Sequence, residues 1–120
     1  TAFRILALDP GRDDDPLQGE LIDADIQSPR CPSFVTLSYV WGVAKYERPF
    51  LCRSGAMSGK ILITASLEQA LKQFRLRHGT LYTWTDGVCI DQMNMEERNQ
   101  QVKLMGQIYR SADQVIVWLG

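Results

Sequence analysis

Val35-Thr36-Leu37-Ser38-Tyr39-Val40-Trp41-Gly42 sets the frame for the rest of the chain. Val35, Leu37, Tyr39 and Trp41 fall on one face of an extended segment and Thr36, Ser38 and Val40 on the other, the two-residue period of a strand. Gly42 ends it. Downstream, two short apolar runs, Phe50 to Cys52 and Ile61 to Ile63, flank the Gly- and Ser-rich stretch from Ser54 to Gly59, which predicts an inserted hairpin. Leu67, Ala70, Leu71 and Phe74 then recur at helical spacing and make one apolar stripe. Thr64 or Ser66 can cap that helix, Ser66 with Gln69 fitting a capping box. Gly79 follows Arg75, Arg77 and His78, where a left-handed residue suits the helix end.

The segment from Leu81 to Asp86 predicts the next strand, with Tyr82, Trp84 and Asp86 on one side and Leu81, Thr83 and Thr85 on the other. A second helix is expected from Asn94, with Glu97 as capping partner and Val102, Met105, Ile108, Tyr109 and Ala112 as its buried face. Val115 to Leu119 is an unbroken apolar run, typical of a strand covered on both faces. Upstream, Phe3 to Leu8 is a short apolar run stopped by Asp9-Pro10-Gly11. Asp13 to Pro16 reads as a solvated loop, and Leu21 to Ile26 alternates apolar with acidic residues as a half-exposed edge strand does.

Strand, helix, strand, helix, strand predicts an α/β domain. The expected sheet is mostly parallel and flanked by helices in flavodoxin-like β-α-β-α-β order, with an N-terminal β element and the inserted hairpin. The 120 residues suit one domain. The doubly apolar last strand still wants cover at Gly120, which suggests a C-terminally truncated piece of a longer domain. Thirteen basic residues face fourteen acidic ones, for a formal net charge of -1. That balance gives nucleic acid or an anionic membrane no electrostatic reason to bind. No apolar run approaches the roughly 20 residues that span a bilayer. Cys31, Cys52 and Cys89 are an odd number without close pairing, so reduced thiols in the cytoplasm are the simpler reading.

In parallel sheets ligands bind beyond the carboxyl ends of the strands. That rule gathers Ser38, Tyr39, Trp41 and Gly42 from one strand end with Asp86, Cys89, Asp91 and Gln92 from the next, as a candidate ligand-binding rim. Aromatic walls with a few carboxylates suit a small polar ligand. Asp86 and Asp91 serve equally well as turn and helix caps. Trp84 and Trp118 read as core, and Trp41 is more open to a site role. Gly55 to Lys60 echoes a phosphate-binding loop but is one residue short between its glycines, has Ile61 where Ser or Thr is required, and leads into a strand. One histidine and no Cys-x-x-Cys leave no zinc site. A Cys89/His78 nucleophile pair is conceivable from their shared nearness to the Leu81 strand, against the usual case of buried, unreactive cysteine.

Three blocks resemble a known family. Val35 to Gly42 looks like the opening block of the heterokaryon-incompatibility (HET) domain, an apolar residue followed by Leu-Ser-Tyr-x-Trp-Gly. Trp84-Thr85-Asp86-Gly87-Val88-Cys89-Ile90-Asp91-Gln92 resembles its Trp-Ile-Asp-x-x-Cys-Ile-Asn-Gln block. Glu97-Arg98, Gln101-Val102, Met105, Ile108-Tyr109, Ala112 and the Val115 to Gly120 strand resemble its closing helix and strand. Thr85, Gly87, Asp91 and Val43 depart from the usual residues, and Val43 stands where the family often carries an acid. The resemblance implies a fungal cytoplasmic effector that triggers programmed cell death in self/non-self recognition through self-association or contact with other death-signalling domains. HET domains are in turn similar to Toll/interleukin-receptor (TIR) domains, some of which cleave NAD with a glutamate on a later helix. On that alternative this chain belongs to a TIR-like NAD glycohydrolase whose glutamate lies beyond Gly120. NAD would then be substrate, no bound cofactor or metal is expected, and the catalytic residues stay unassigned.

Overall fold

The computed structural model describes residues 2–12, 14–39, 45–89 and 95–118. In chain order its elements are β1 (Ala2–Leu8), β2 (Gln18–Asp25), β3 (Val35–Tyr39), β4 (Tyr46–Ser54), β5 (Met57–Thr64), α1 (Ala65–Phe74), β6 (Leu81–Trp84), the one-turn α2 (Asp86–Cys89), α3 (Met95–Ser111) and β7 (Gln114–Trp118). The strands form one sheet in the order β5-β4-β2-β1-β6-β3-β7.

The mostly parallel, TIR-like or flavodoxin-like sheet expected from the sequence is not the fold. The sheet is mixed. Its longest ladders, β1 with β2 and β4 with β5, are antiparallel, and so is β1 with β6. Parallel pairing is confined to β3 with its neighbours β6 and β7, and to a three-residue contact between β2 and β4. The reason lies at the N-terminus. Phe3, Ile5, Leu6 and Leu8 point to both faces of β1 and are all buried, which only a strand covered on both sides can sustain. The N-terminal hairpin is therefore the middle of the sheet, where an appended β element was expected.

Other expectations fail for related reasons. β2 is not an edge strand. It lies between β1 and β4, but β4 pairs only its first three residues, so the segment from Leu21 onward stays half-exposed. Among the described residues β7 is not doubly covered: it pairs with β3 as the outermost strand, and Val117 is 62% exposed. An apolar run alone does not distinguish a central strand from an edge. In α3, Gln101 is 7% exposed and Val102 is 54% exposed. Only Val102 departs from the expected face, Gln101 taking its place, while Ile108 is buried and Met105, Tyr109 and Ala112 are partly so, as expected. Its expected start, Asn94, lies outside the described residues.

The local signals in the middle of the chain have clear counterparts. Gly55, at φ +60°, opens the tight link between β4 and β5. Thr64 caps α1, its hydroxyl accepting the Leu67 amide at 3.2 Å, and Leu67, Ala70 and Leu71 are buried as the stripe requires. The helix closes when the Arg75 amide donates to the Leu71 carbonyl at 2.9 Å. Gly79, at φ +86°, lies farther on, in the turn into β6.

Paired residues share a sheet face, so the registers fix which side each helix covers. Leu37 and Tyr39 point to the side of α1, where Phe74 meets Trp118, the register partner of Tyr39, at 6.0 Å between ring centroids. Thr36, Ser38 and Trp84 point to the side of α3. Close approach is tightest at Gly19, where an added Cβ would lie 2.6 Å from the Ala7 carbonyl oxygen. Backbone on both strands cannot yield there. Gly19→Ala should cost about 3 kcal/mol and lower the melting temperature by on the order of 10 °C. An unchanged melting curve would mean that β1 and β2 are not held in this register.

Candidate functional site

β3 and β6 run parallel, with Val35 beside Thr83 and Thr36 beside Trp84. Their carboxyl ends therefore share one rim of the sheet. Ser38 and Tyr39 close β3, and β6 passes through Thr85 into α2. Asp86 is not a strand residue, as the sequence suggested. It opens that one-turn helix, which is fixed by the Val88 and Cys89 amides donating to the Thr85 carbonyl at 3.3 and 2.9 Å.

The eight candidate residues fare differently. The Ser38 hydroxyl sits 3.0 Å from the Tyr109 hydroxyl of α3 in a partly buried contact. Tyr39 is buried on the opposite, α1 side. Cys89 is fully buried, its thiol directed at the Thr83 carbonyl oxygen at 3.9 Å. It does not line an open surface. Asp86 is placed by its backbone alone. Trp41, Gly42, Asp91 and Gln92 lie outside the described residues. The conceivable Cys89/His78 pair does not form, because His78 precedes β6 and Cys89 follows it, at opposite ends of the strand.

The structure adds residues that the sequence reading left in the core. The Tyr109 ring meets Trp84 edge-on, with centroids 5.9 Å apart and planes at 72°. Tyr109 thus ties α3 to both β3 and β6. A tyrosine in place of phenylalanine on an inner helix face was the available signal, because a buried phenol seeks a partner. Beneath α3 the interior is unexpectedly polar. Thr36 Oγ1, Trp84 Nε1 and Gln101 Oε1 are buried there without a hydrogen-bond partner among the described residues. Each such group costs about 1–3 kcal/mol unless water or a ligand satisfies it. A hydroxyl, an indole N–H and an amide suit hydrogen-bonding recognition of a neutral polar group. Among the described residues no cluster of His, Cys, Asp or Glu could hold a metal ion, and no helix is long and apolar enough to cross a membrane.

The Cys31 and Cys52 thiols are not activated. Burial pushes the Cys52 thiol above its ordinary pKa, and burial together with the nearby Asp25 carboxylate does the same for Cys31. A raised pKa means less thiolate at neutral pH. Alkylation by iodoacetamide at pH 7.5 (about one unit below the free thiol) should be slow at all three cysteines of the native protein and fast in urea. Rapid labelling of Cys89 without denaturant would show the strand end to be open.

Comparison with known proteins agrees with the three sequence blocks. The family model described as heterokaryon incompatibility protein (HET) matches residues 34–120, and the chain belongs to this family. The chain is 37% identical, over 130 aligned residues, to heterokaryon incompatibility protein 6, OR allele, of Neurospora crassa. That alignment covers 100% of the chain and 19% of the relative, so the chain spans about a fifth of the length of the curated protein it matches. No solved structure matches it.

Proposed function

We propose that this chain is the effector module of a fungal heterokaryon-incompatibility protein, which triggers programmed cell death through regulated self-association. The observation that carries the reading is the 37% identity to the Neurospora crassa incompatibility protein along the whole chain. The exposed apolar surface of β7, the outermost strand among the described residues, supports the self-association step. β7 holds no charged residue, and Val115 and Val117 are exposed on it, whereas sheet edges are normally guarded by charge, proline or bulges.

The test is to fuse the full-length protein to a chemically inducible dimeriser in fungal hyphae and score death with a vital dye. Death on dimerisation is the expected result, reduced by Val117→Lys. Survival while dimerisation is verified by crosslinking would remove the reading. A second reading, in which the strand-end site cleaves NAD, has the unpartnered polar groups beside β3 and β6 in its favour. It has lost the TIR-like sheet order that motivated it. Cellular NAD measured in the same hyphae separates the two. A fall that precedes death favours cleavage, and an unchanged level favours association alone.

A further inference from the structure

A cavity of about 580 Å³ opens at the other end of β6, away from the strand-end rim. β1 pairs antiparallel with β6, Leu8 beside Leu81, so the loop after β1 lies where β6 begins. The Gly11 amide fastens that loop by donating to the Leu76 carbonyl at 3.0 Å. The cavity falls between the loop and the C-terminal part of α1, and its size is typical of small-molecule sites. Among the described residues four cationic side chains line it, those of Arg12, Lys72, Arg75 and Arg77, against the two carboxylates of Asp14 and Asp15.

Arg75 is the unusual member. It is 8% exposed. Its guanidinium donates to the carbonyls of Asp15 and Pro16, each at 3.1 Å, and to that of Arg12. Its Nε is buried without a partner, and no carboxylate lies within ion-pair distance of it among the described residues. Three carbonyl dipoles satisfy hydrogen bonds but do not supply a counter-charge, and buried cations are normally paired with an anion. Gly11 leaves just enough room for this arrangement, since a Cβ there would lie 3.0 Å from the Arg75 Cζ.

We propose that this cavity binds a phosphate-bearing ligand, with Arg12, Lys72 and Arg77 facing the anion and, behind them, Arg75, whose guanidinium has no carboxylate partner among the described residues. Arginine forks match phosphate oxygens in pairs. The C-terminal end of α1 opposes an anion through its dipole. The Lys72 ammonium in its last turn and the Arg75 amide on the Leu71 carbonyl offset that effect. The Asp15 carboxylate is partly engaged, accepting the Arg12 amide at 2.9 Å. The site is independent of the strand-end rim, so it stands or falls separately from the proposed function.

The experiment is calorimetric titration of the protein with inorganic pyrophosphate at constant ionic strength. The same titration follows on a Lys72→Gln/Arg77→Gln double variant, which leaves the buried Arg75 in place. A parallel arm uses phosphatidylcholine vesicles with and without a phosphoinositide. Saturable binding that weakens at least about tenfold in the double variant is the expected result. Binding of free pyrophosphate points to a soluble phosphate compound, and binding confined to phosphoinositide vesicles points to a lipid headgroup. Gly11→Ala, which presses on the guanidinium without removing a charge, should weaken binding as well. No saturation in either arm, or equal affinity in the wild type and the double variant, overturns the proposal.

Discussion

A chain that begins at Phe34, where the family match begins, should fail to fold. Such a chain loses β1 and β2 and with them Phe3, Ile5, Leu6, Leu8 and Leu17, all buried. Burial of each side chain of this size contributes about 1.5–3 kcal/mol, and the sum reaches the roughly 5–15 kcal/mol by which a domain is stable at all. The loss is also topological. β1 stands between β2 and β6, so its removal severs the β4–β5 hairpin from the β6-β3-β7 segment and bares an edge of β6. Circular dichroism and thermal melting of residues 34–120 against the full chain check this. A cooperative transition in the shortened chain, near that of the full one, would show the hairpin to be dispensable.

Trp84→Ala should be the most damaging single substitution on the site side of the sheet. Trp84 is buried, is among the largest fully buried side chains, and meets Tyr109 edge-on. Truncation of such a ring typically costs about 3–5 kcal/mol. The effect should reach further than stability. Without the indole, Tyr109 loses its aromatic contact, and the Ser38–Tyr109 hydroxyl contact loses its support. Trp84→Phe is the informative companion. It keeps a ring while deleting the indole N–H that has no partner among the described residues, so the cost of leaving that group buried disappears along with some packing. The expected order of melting temperatures is wild type, then Trp84→Phe, then Trp84→Ala, with the second step much the larger. Equal losses for the two variants would mean that the indole N–H is hydrogen-bonded and that the polar layer under α3 is satisfied.

Local features were legible in the sequence and long-range ones were not. Thr64, the Leu67–Ala70–Leu71 stripe and the glycine-led hairpin link depend on neighbours within a few residues, where capping and periodicity act. Strand identity was legible too, from Phe3 to Leu8 and from Val35 to Tyr39. Strand order was not, because a run apolar on both faces looks the same at the centre of a sheet as at its edge. β1 and β7 exchange the places that the sequence suggested, and the sheet changes from parallel to mixed. In α3, Gln101 and Val102 are neighbours separated by about 100° around the helix. Hydropathy favours Val102 inside, yet Gln101 is the residue turned to the sheet.

The candidate rim was legible only in outline. Adjacent parallel strand ends followed from the Ser38 and Trp84 segments. The Ser38–Tyr109 contact joins residues 71 apart in the chain, and no periodicity announces such a pair. Cys89 drew attention as a thiol beside a strand end, and it is buried with that thiol 3.9 Å from the Thr83 carbonyl oxygen. The cavity at Arg75 was hidden for the same reason as Tyr109. Arg75 and Arg77 read as ordinary helix-end cations until Gly11, Arg12 and Asp14 to Pro16 are brought against the end of α1.

The central structural claim is that the N-terminal hairpin is the middle of this domain, holding β6 and β3 in place beneath the site. Native-state hydrogen exchange tests it most directly. The Ile5 and Leu6 amides should exchange only by global unfolding, as slowly as those of Leu37 in β3. If β1 instead exchanges more than about a hundredfold faster than β3 under native conditions, the hairpin is peripheral and this architecture is wrong.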